Sequence, residues 1–183
     1  MKITADIDKS LEKAERLLAG IPNGIEKATM RAFNRALQQG RTVATRETTK
    51  RYTAKAKEIR PTFKMIRASG NNMEAELVST GSRLPLTRFK YSPMEDTTGS
   101  NQKQVRVSVK KGGLKPLGNM FVWKGKIMHR LGDTSLPIQQ KFGAAVPVML
   151  NNEEIVEAVN ETMMESASKR LEHETQRLLE GNG

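Results

Sequence analysis

The stretch Asn119–Leu150, NMFVWKGKIMHRLGDTSLPIQQKFGAAVPVML, constrains the fold most, because turn-forming residues cut it into short extended pieces ahead of a helical run. Val122–Lys124 and Lys126–Leu131 are strand-like runs separated by Gly125, which has no Cβ to oppose turn geometry. They predict a hairpin. Gly132 and Asp133 break the second run, and Pro137 restarts an extended segment through Phe142. Gly143 is expected to end that segment before Pro147 opens a helix. The stretch therefore joins a sheet to a helix.

Upstream, Leu11, Ala14, Leu18, Ile21, Ile25, Ala28, Ala32 and Ala36 follow steps of three and four residues, the mark of a buried helical face. Gly20, Pro22 and Gly24 interrupt it, so a helix near Asp8–Ala19 and a longer one from about Pro22 to Thr49 are expected. The longer helix carries Lys27, Arg31, Arg35, Arg41 and Arg46 toward solvent. A short helix over Lys50–Arg60 ended by Pro61, and a further turn or two over Thr62–Ser69, complete an N-terminal helical region, residues 8–69.

Gly70, Asn71 and Asn72 signal a turn, after which Met73–Thr80 alternates apolar and polar residues as a strand with one wet face. Gly81–Gln102 is expected to be a long loop. Val105, Val107 and Val109 alternate with Arg106, Ser108 and Lys110 as a strand with a basic outer face, and KGGLKPLGN leads on to the hairpin. Beyond Pro147, Asn152 suits a helix cap, and Ile155, Val159, Met163, Ala167, Leu171, Leu178 and Leu179 share a face. The expected architecture is a single α+β domain over residues 1–183. A small, mostly antiparallel sheet in 73–142 is flanked by a long N-terminal helix and a C-terminal helix over 146–180.

Charge is unevenly spread. Residues 1–60 carry +7, residues 61–145 carry +9 and residues 146–183 carry −5, giving the net +11. A basic body with an acidic C-terminal helix suits binding of nucleic acid through the body, or of copies of itself end against body. With no cysteine, disulfides and thiolate metal sites are excluded. No window approaches the roughly 20 apolar residues of a spanning helix, and the N-terminus lacks an apolar core, so neither export nor membrane insertion is expected.

Catalytic chemistry has few candidates. His129 and Asp133 could complete a triad with Ser82 or Ser135 on paper, yet neither serine sits in a nucleophile turn. With only His129 and His173, a metal cage is not expected either. Gly113–Gly118 has the glycine spacing of a phosphate loop, but Asn119 and Met120 replace the required Lys and Ser/Thr. Asn160–Thr162 matches a glycosylation sequon without an export signal to support it. Glu153, Glu154 and Glu157 suit solvated first-turn carboxylates. No enzyme activity and no cofactor are expected. Lys110, Lys111, Lys115, Lys124 and Lys126, which could gather at one end of the sheet, are the candidate DNA- or channel-facing residues, although no standard nucleic-acid-binding motif accompanies them and a solvated basic surface is the plainer reading. Glu157, Glu161, Glu165, Met163 and Leu171 are the candidate subunit interface.

The order of several segments resembles the prophage minor tail protein Z family. The segments are FNRALQQGRTVATRETTKRYTAKAKEIRPT at Phe33–Thr62, RLPLTRF at Arg83–Phe89, VSVKKG at Val107–Gly112, FVW with MHRLG, and PIQQKFGAAVPVML. The resemblance runs through nearly the whole chain. It departs at Ala144–Ala145, where a Pro or Ser beside the glycine is expected. It implies a structural protein of a tailed phage or prophage that completes the head-proximal end of the tail. It also implies a homo-oligomeric ring of six-fold symmetry, made in the host bacterial cytoplasm and ending in the virion tail. The partners implied are tail and head–tail connector proteins, with contact to phage DNA and none to a membrane. The alternative from the residues alone is a non-enzymatic DNA-binding module acting through its basic surface.

Overall fold

A computed structural model describes residues 8–70, 72–99, 103–132 and 134–181. It is a mixed α and β structure whose described strands all pair antiparallel, in four small sheets. The described residues form two compact units, the first from residues 8–45, Phe63–Ser79 and residues 151–181, the second from Arg46–Thr62 and Thr80–Leu150.

The first unit is built on three helices, α1 (Asp8–Leu18), α2 (Gly24–Arg51, whose last turn and a half belongs to the second unit) and α5 (Glu153–Leu179). Asn23 adopts a left-handed φ of 55° and turns the chain between α1 and α2. On α2, Ala28, Ala32, Ala36 and Gly40 recur every four residues and are all buried, a ridge of small side chains. The matching ridge on α5 is Ile155, Val159, Met163, Ala167 and Leu171, also at four-residue steps and also buried. A Cβ at Gly40 would stand 2.5 Å from Met163 Sδ, so the glycine lets the helices approach closely. Gly40 meets Met163 while Arg31 meets Glu174, and the two helices therefore run antiparallel. Two strands complete the unit, β1 (Phe63–Ile66) paired with β2 (Glu76–Ser79). Asn34 ties the chain after β1 to α2, donating to the Ala68 carbonyl and accepting from its N–H, both at 3.0 Å.

In the second unit a short helix, α3 (Ala56–Ile59), leads into a 3-10 turn over Arg60–Thr62. Three sheets follow: β3 (Arg83–Pro85) with β10 (Phe142–Ala145); β4 (Lys90–Ser92), β5 (Arg106–Ser108) and β6 (Lys115–Pro116); and β7 (Met120–Trp123), β8 (Lys126–Arg130) and β9 (Ile138–Gln140). The chain then enters α4 (Val146–Leu150). Tyr52, Ile59, Phe89, Val107, Val122, Ile127, Met149 and Leu150 are among the buried apolar residues of this unit. The segment after α2 is stitched to β5, with Thr53 N–H donating to the Val109 carbonyl at 3.0 Å and Lys111 N–H to the Arg51 carbonyl at 2.8 Å.

Five expectations change. The short helix expected over Lys50–Arg60 is only Ala56–Ile59, because Lys50 and Arg51 continue α2 and Tyr52 pairs with Lys110. Thr62–Ser69 is not α-helical: Thr62 ends the 3-10 turn, and Phe63–Ile66 pairs residue for residue with Glu76–Ser79, a ladder that overrides local propensity. The loop expected over Gly81–Gln102 holds β3, a 3-10 turn at Leu86–Arg88 and β4, each only three residues long and too short to show alternation; its residues 100–102 lie outside the described ones, as does Asn71 of the earlier turn signal. Gly143 does not end its extended segment but lies within β10, because the Phe89 ring packs where a Cβ would stand. The helix expected over 146–180 is broken at Asn151–Asn152 into α4 and α5. Asn152 holds the cap position with extended backbone but no side-chain cap hydrogen bond, and its carbonyl accepts the N–H groups of Ile155 and Val156.

Candidate binding surfaces

The β7–β8 hairpin forms because the two residues between its strands, Lys124 and Gly125, both take positive φ, 47° and 68°. That geometry matches the right-handed twist of the strands it joins. Register then decides which side chains share a face. Val122 opposes Ile127, both essentially fully buried, while Trp123 opposes Lys126 and Phe121 opposes Met128. Phe121 and Trp123 therefore lie on the face turned away from Val122 and Ile127, together with Lys126, the buried Met128 and Arg130. Lys124 Nζ lies 4.8 Å from the centre of the Trp123 ring, and the Arg130 guanidinium 5.1 Å from that of Phe121.

The residues before the hairpin extend it. Thr97 and Val122 exchange hydrogen bonds: Thr97 N–H donates to the Val122 carbonyl at 2.9 Å, and Val122 N–H donates to Thr97 Oγ1 at 2.8 Å. Asp96 Oδ2 accepts the Lys124 N–H at 3.1 Å and so places one carboxylate near an otherwise cationic turn. A hollow of about 690 Å³ beside β7 is bordered by Thr97, Lys103, Met120, Phe121 and Arg130.

The five lysines nominated by sequence all stand exposed in the second unit, and none forms an ion pair among the described residues. They are divided between two sheets. Lys115 lies on β6, and Lys110 and Lys111 follow β5, with Lys110 bridging to Tyr52. Lys124 and Lys126 belong to the β7–β8 hairpin. Ser108, expected on the wet face of β5, is buried; its hydroxyl donates to the Lys110 carbonyl at 2.6 Å, which satisfies it there.

Two arginines on the α2 face that the sequence turns to solvent, Arg31 and Arg46, are matched by carboxylates. Glu174, on the buried stripe of α5, is fully buried and meets Arg170 at 2.5 Å, Arg31 at 3.0 Å and Arg177 at 3.3 Å. Glu47, also buried, accepts from Lys50 at 2.7 Å, Arg51 at 2.8 Å and Arg46 at 3.2 Å. The Lys50 hydrogen bond, aided by Arg51 and Arg46 against the opposing effect of burial, holds the Glu47 carboxyl well below the usual range, at about 2.

On α5, Glu157, Glu161 and Glu165 are exposed at successive four-residue steps. Glu165 is paired with Lys169 at 2.6 Å, and that hydrogen bond lowers its pKa. Glu157 and Glu161 form no ion pair among the described residues. The acidic sum of this segment is thus displayed at the N-terminal half of α5. Its C-terminal half, with α2, borders a groove of about 410 Å³ where Arg35, Lys169 and Arg170 outnumber Glu165. Met163 and Leu171, taken from sequence as interface residues, are instead 3% and 0% exposed within the first unit, because they form the ridge facing the rest of that unit's core.

Among the described residues no hydrogen bond joins the triad candidates. Ser82 and Ser135 are exposed, Asp133 lies outside the described residues, and His129 is half-buried on β8 with an Nδ1 that has no hydrogen-bond partner. Compared with protein-family models, curated proteins and solved structures, the chain matches none.

The aromatic face of β7 and the Glu174 cluster escaped the sequence reading. Both had a signal. Phe121 and Trp123 are two residues apart in a strand, and Glu174 interrupts the apolar stripe that runs through Leu171 and Leu178, with arginines four residues before and three after it.

Proposed function

We propose that the chain is a structural virion protein of a tailed phage or prophage, a minor tail protein that completes the head-proximal end of the tail and supports head–tail joining as a ring. The segment order given above supports this reading from the sequence, and comparison with known proteins adds nothing to it. The observation that carries it is the separation of exposed charge. Glu157 and Glu161 stand one turn apart on α5 without ion pairs among the described residues, while Lys110, Lys111, Lys115, Lys124 and Lys126 stand equally unpaired on the second unit.

Patches of opposite sign on one chain suit a heterologous contact, in which each copy offers its acids to the lysines of the next, and such contacts close into rings when the rotation allows. Lysines left outside that contact would face DNA in the tail channel. In a phage genome that encodes the chain, disabling its coding sequence is expected to leave separate heads and tails. Complete, infectious particles from that genome would overturn the assignment.

A second reading, a non-enzymatic DNA-binding module, is favoured by the same unpaired lysines. It predicts duplex binding that weakens steeply with salt, and less steeply once Lys110, Lys111 and Lys124 are neutralised, since each phosphate contact contributes about one unit of slope. Absence of duplex binding at low salt would remove it.

A further inference from the structure

We infer that the outer face of the β7–β8–β9 sheet binds single-stranded nucleic acid, stacking bases on Phe121 and Trp123 and meeting phosphates with Lys124, Lys126 and Arg130. The inference rests on the nucleic-acid reading of the basic surface and adds to it a site and a mode of binding.

Phe121 and Trp123 are separated by one residue on one strand, which places both side chains on the same face with their Cα atoms about 7 Å apart. Trp123, the only tryptophan in the chain, is 37% exposed although its strand neighbour Val122 is fully buried. Each ring has a cation over it, Lys124 on Trp123 and Arg130 on Phe121, and Lys126 stands opposite Trp123 in the register. On this face Met128, opposite Phe121, is buried, Phe121 is half-buried, and Trp123, Lys126 and Arg130 are exposed. Aromatics flanked in this way by Lys and Arg meet the physical requirements for holding unpaired bases, the rings supplying faces for stacking and the cations answering the backbone.

The hollow beside β7 borders on Phe121, Arg130 and Lys103, and leaves room for a base and its phosphate next to the Phe121 ring. The cations now resting on the rings are on flexible stems, and a stacked base displaces them toward its own phosphates. Bases within a duplex are already stacked on one another, so the ring pair selects the single strand. Asp96, held at the turn by the Lys124 N–H, opposes this binding by its charge.

Because Trp123 is the sole tryptophan, its fluorescence reports on this face alone. The full chain is titrated with a thymidine oligonucleotide, a uridine oligonucleotide and a DNA duplex of equal length. The inference predicts saturable quenching by either or both single strands and little by the duplex; the thymidine and uridine arms show whether DNA or RNA is preferred. Phe121→Ala is expected to weaken single-strand binding about fivefold or more. Lys126→Gln, an exposed change that leaves the aromatic pair intact, is expected to weaken it and lower the salt slope by about one unit. Single-strand binding without quenching, and unchanged in both variants, would overturn the stacking face while leaving the nucleic-acid reading in place. Binding of none of the three at low salt would overturn both.

Discussion

Arg31 on α2 donates to Glu174 on α5 across 3.0 Å, and Glu174 is completely buried at that point. Two more arginines of α5, Arg170 and Arg177, reach the same carboxylate. A lone charge in that position would be costly, whereas three guanidinium groups on its rim compensate it and fix the pairing of two antiparallel helices. The arginines are about a third exposed, so they can return to water if the acid is removed. Glu174→Gln is therefore expected to cost about 2–3 kcal/mol, below the range for a fully enclosed pair. Arg31→Ala leaves two partners in place and is expected to cost about 1 kcal/mol. Urea unfolding of the two variants reads both values; a Glu174→Gln protein as stable as the wild type would show that the cluster contributes nothing net.

Glu47 makes stability depend on acid. Its carboxyl titrates at about 2 in the folded chain against a usual value of 4.5, so the folded state binds its proton less readily than the unfolded state. The resulting stabilisation is fully present above about pH 4.5 and is lost as pH falls through about 2. Glu47→Gln should lower stability near neutral pH and flatten the loss between these limits. Thermal unfolding followed from pH 7 to pH 2 checks this, and parallel curves for the two proteins would contradict it.

Two glycines are held by close packing, and they should differ in sensitivity. A Cβ at Gly143 would lie 2.6 Å from the Phe89 ring, which is rigid and 4% exposed. One at Gly40 would meet Met163 Sδ at 2.5 Å, but a thioether can rotate away, and alanine favours the helix by about 1 kcal/mol. Gly143→Ala is expected to cost about 1–3 kcal/mol and Gly40→Ala less. Denaturation midpoints that reverse this order would show that the α2–α5 approach is the tighter constraint.

How much of this was legible in the sequence depended on how far apart the interacting residues lie. The helices α1 and α2 and a break between them could be read because the apolar period and the turn residues are local, although α2 begins at Gly24 rather than at the expected Pro22, which lies in the turn with Asn23. The β7–β8 hairpin was legible for the same reason, with Gly125 as its marker. Phe63–Ile66 was not legible as a strand because only its pairing with Glu76–Ser79 makes it one, and β3, β4 and β6 are too short to carry a period. The binding surfaces were partly legible. Exposure of the five lysines followed from their charge, but their division between two sheets depends on pairings that single residues do not reveal. The stripe of Met163 and Leu171 suits the chain's own core more often than a partner, and their burial places them in the core.

The most direct test of the ring is the solution mass of the 20.4 kDa chain by analytical ultracentrifugation across concentration and salt. The proposal predicts a discrete oligomer, of about six copies if tail symmetry sets its size, that dissociates as salt rises. Reversing Glu157 and Glu161 to Lys should abolish it, while reversing Glu165, already paired with Lys169, should have a smaller effect. An oligomer indifferent to salt and to all three reversals would contradict the charged contact, and a monomer at every concentration and salt, with tails that assemble normally around the reversed protein, would contradict the ring itself.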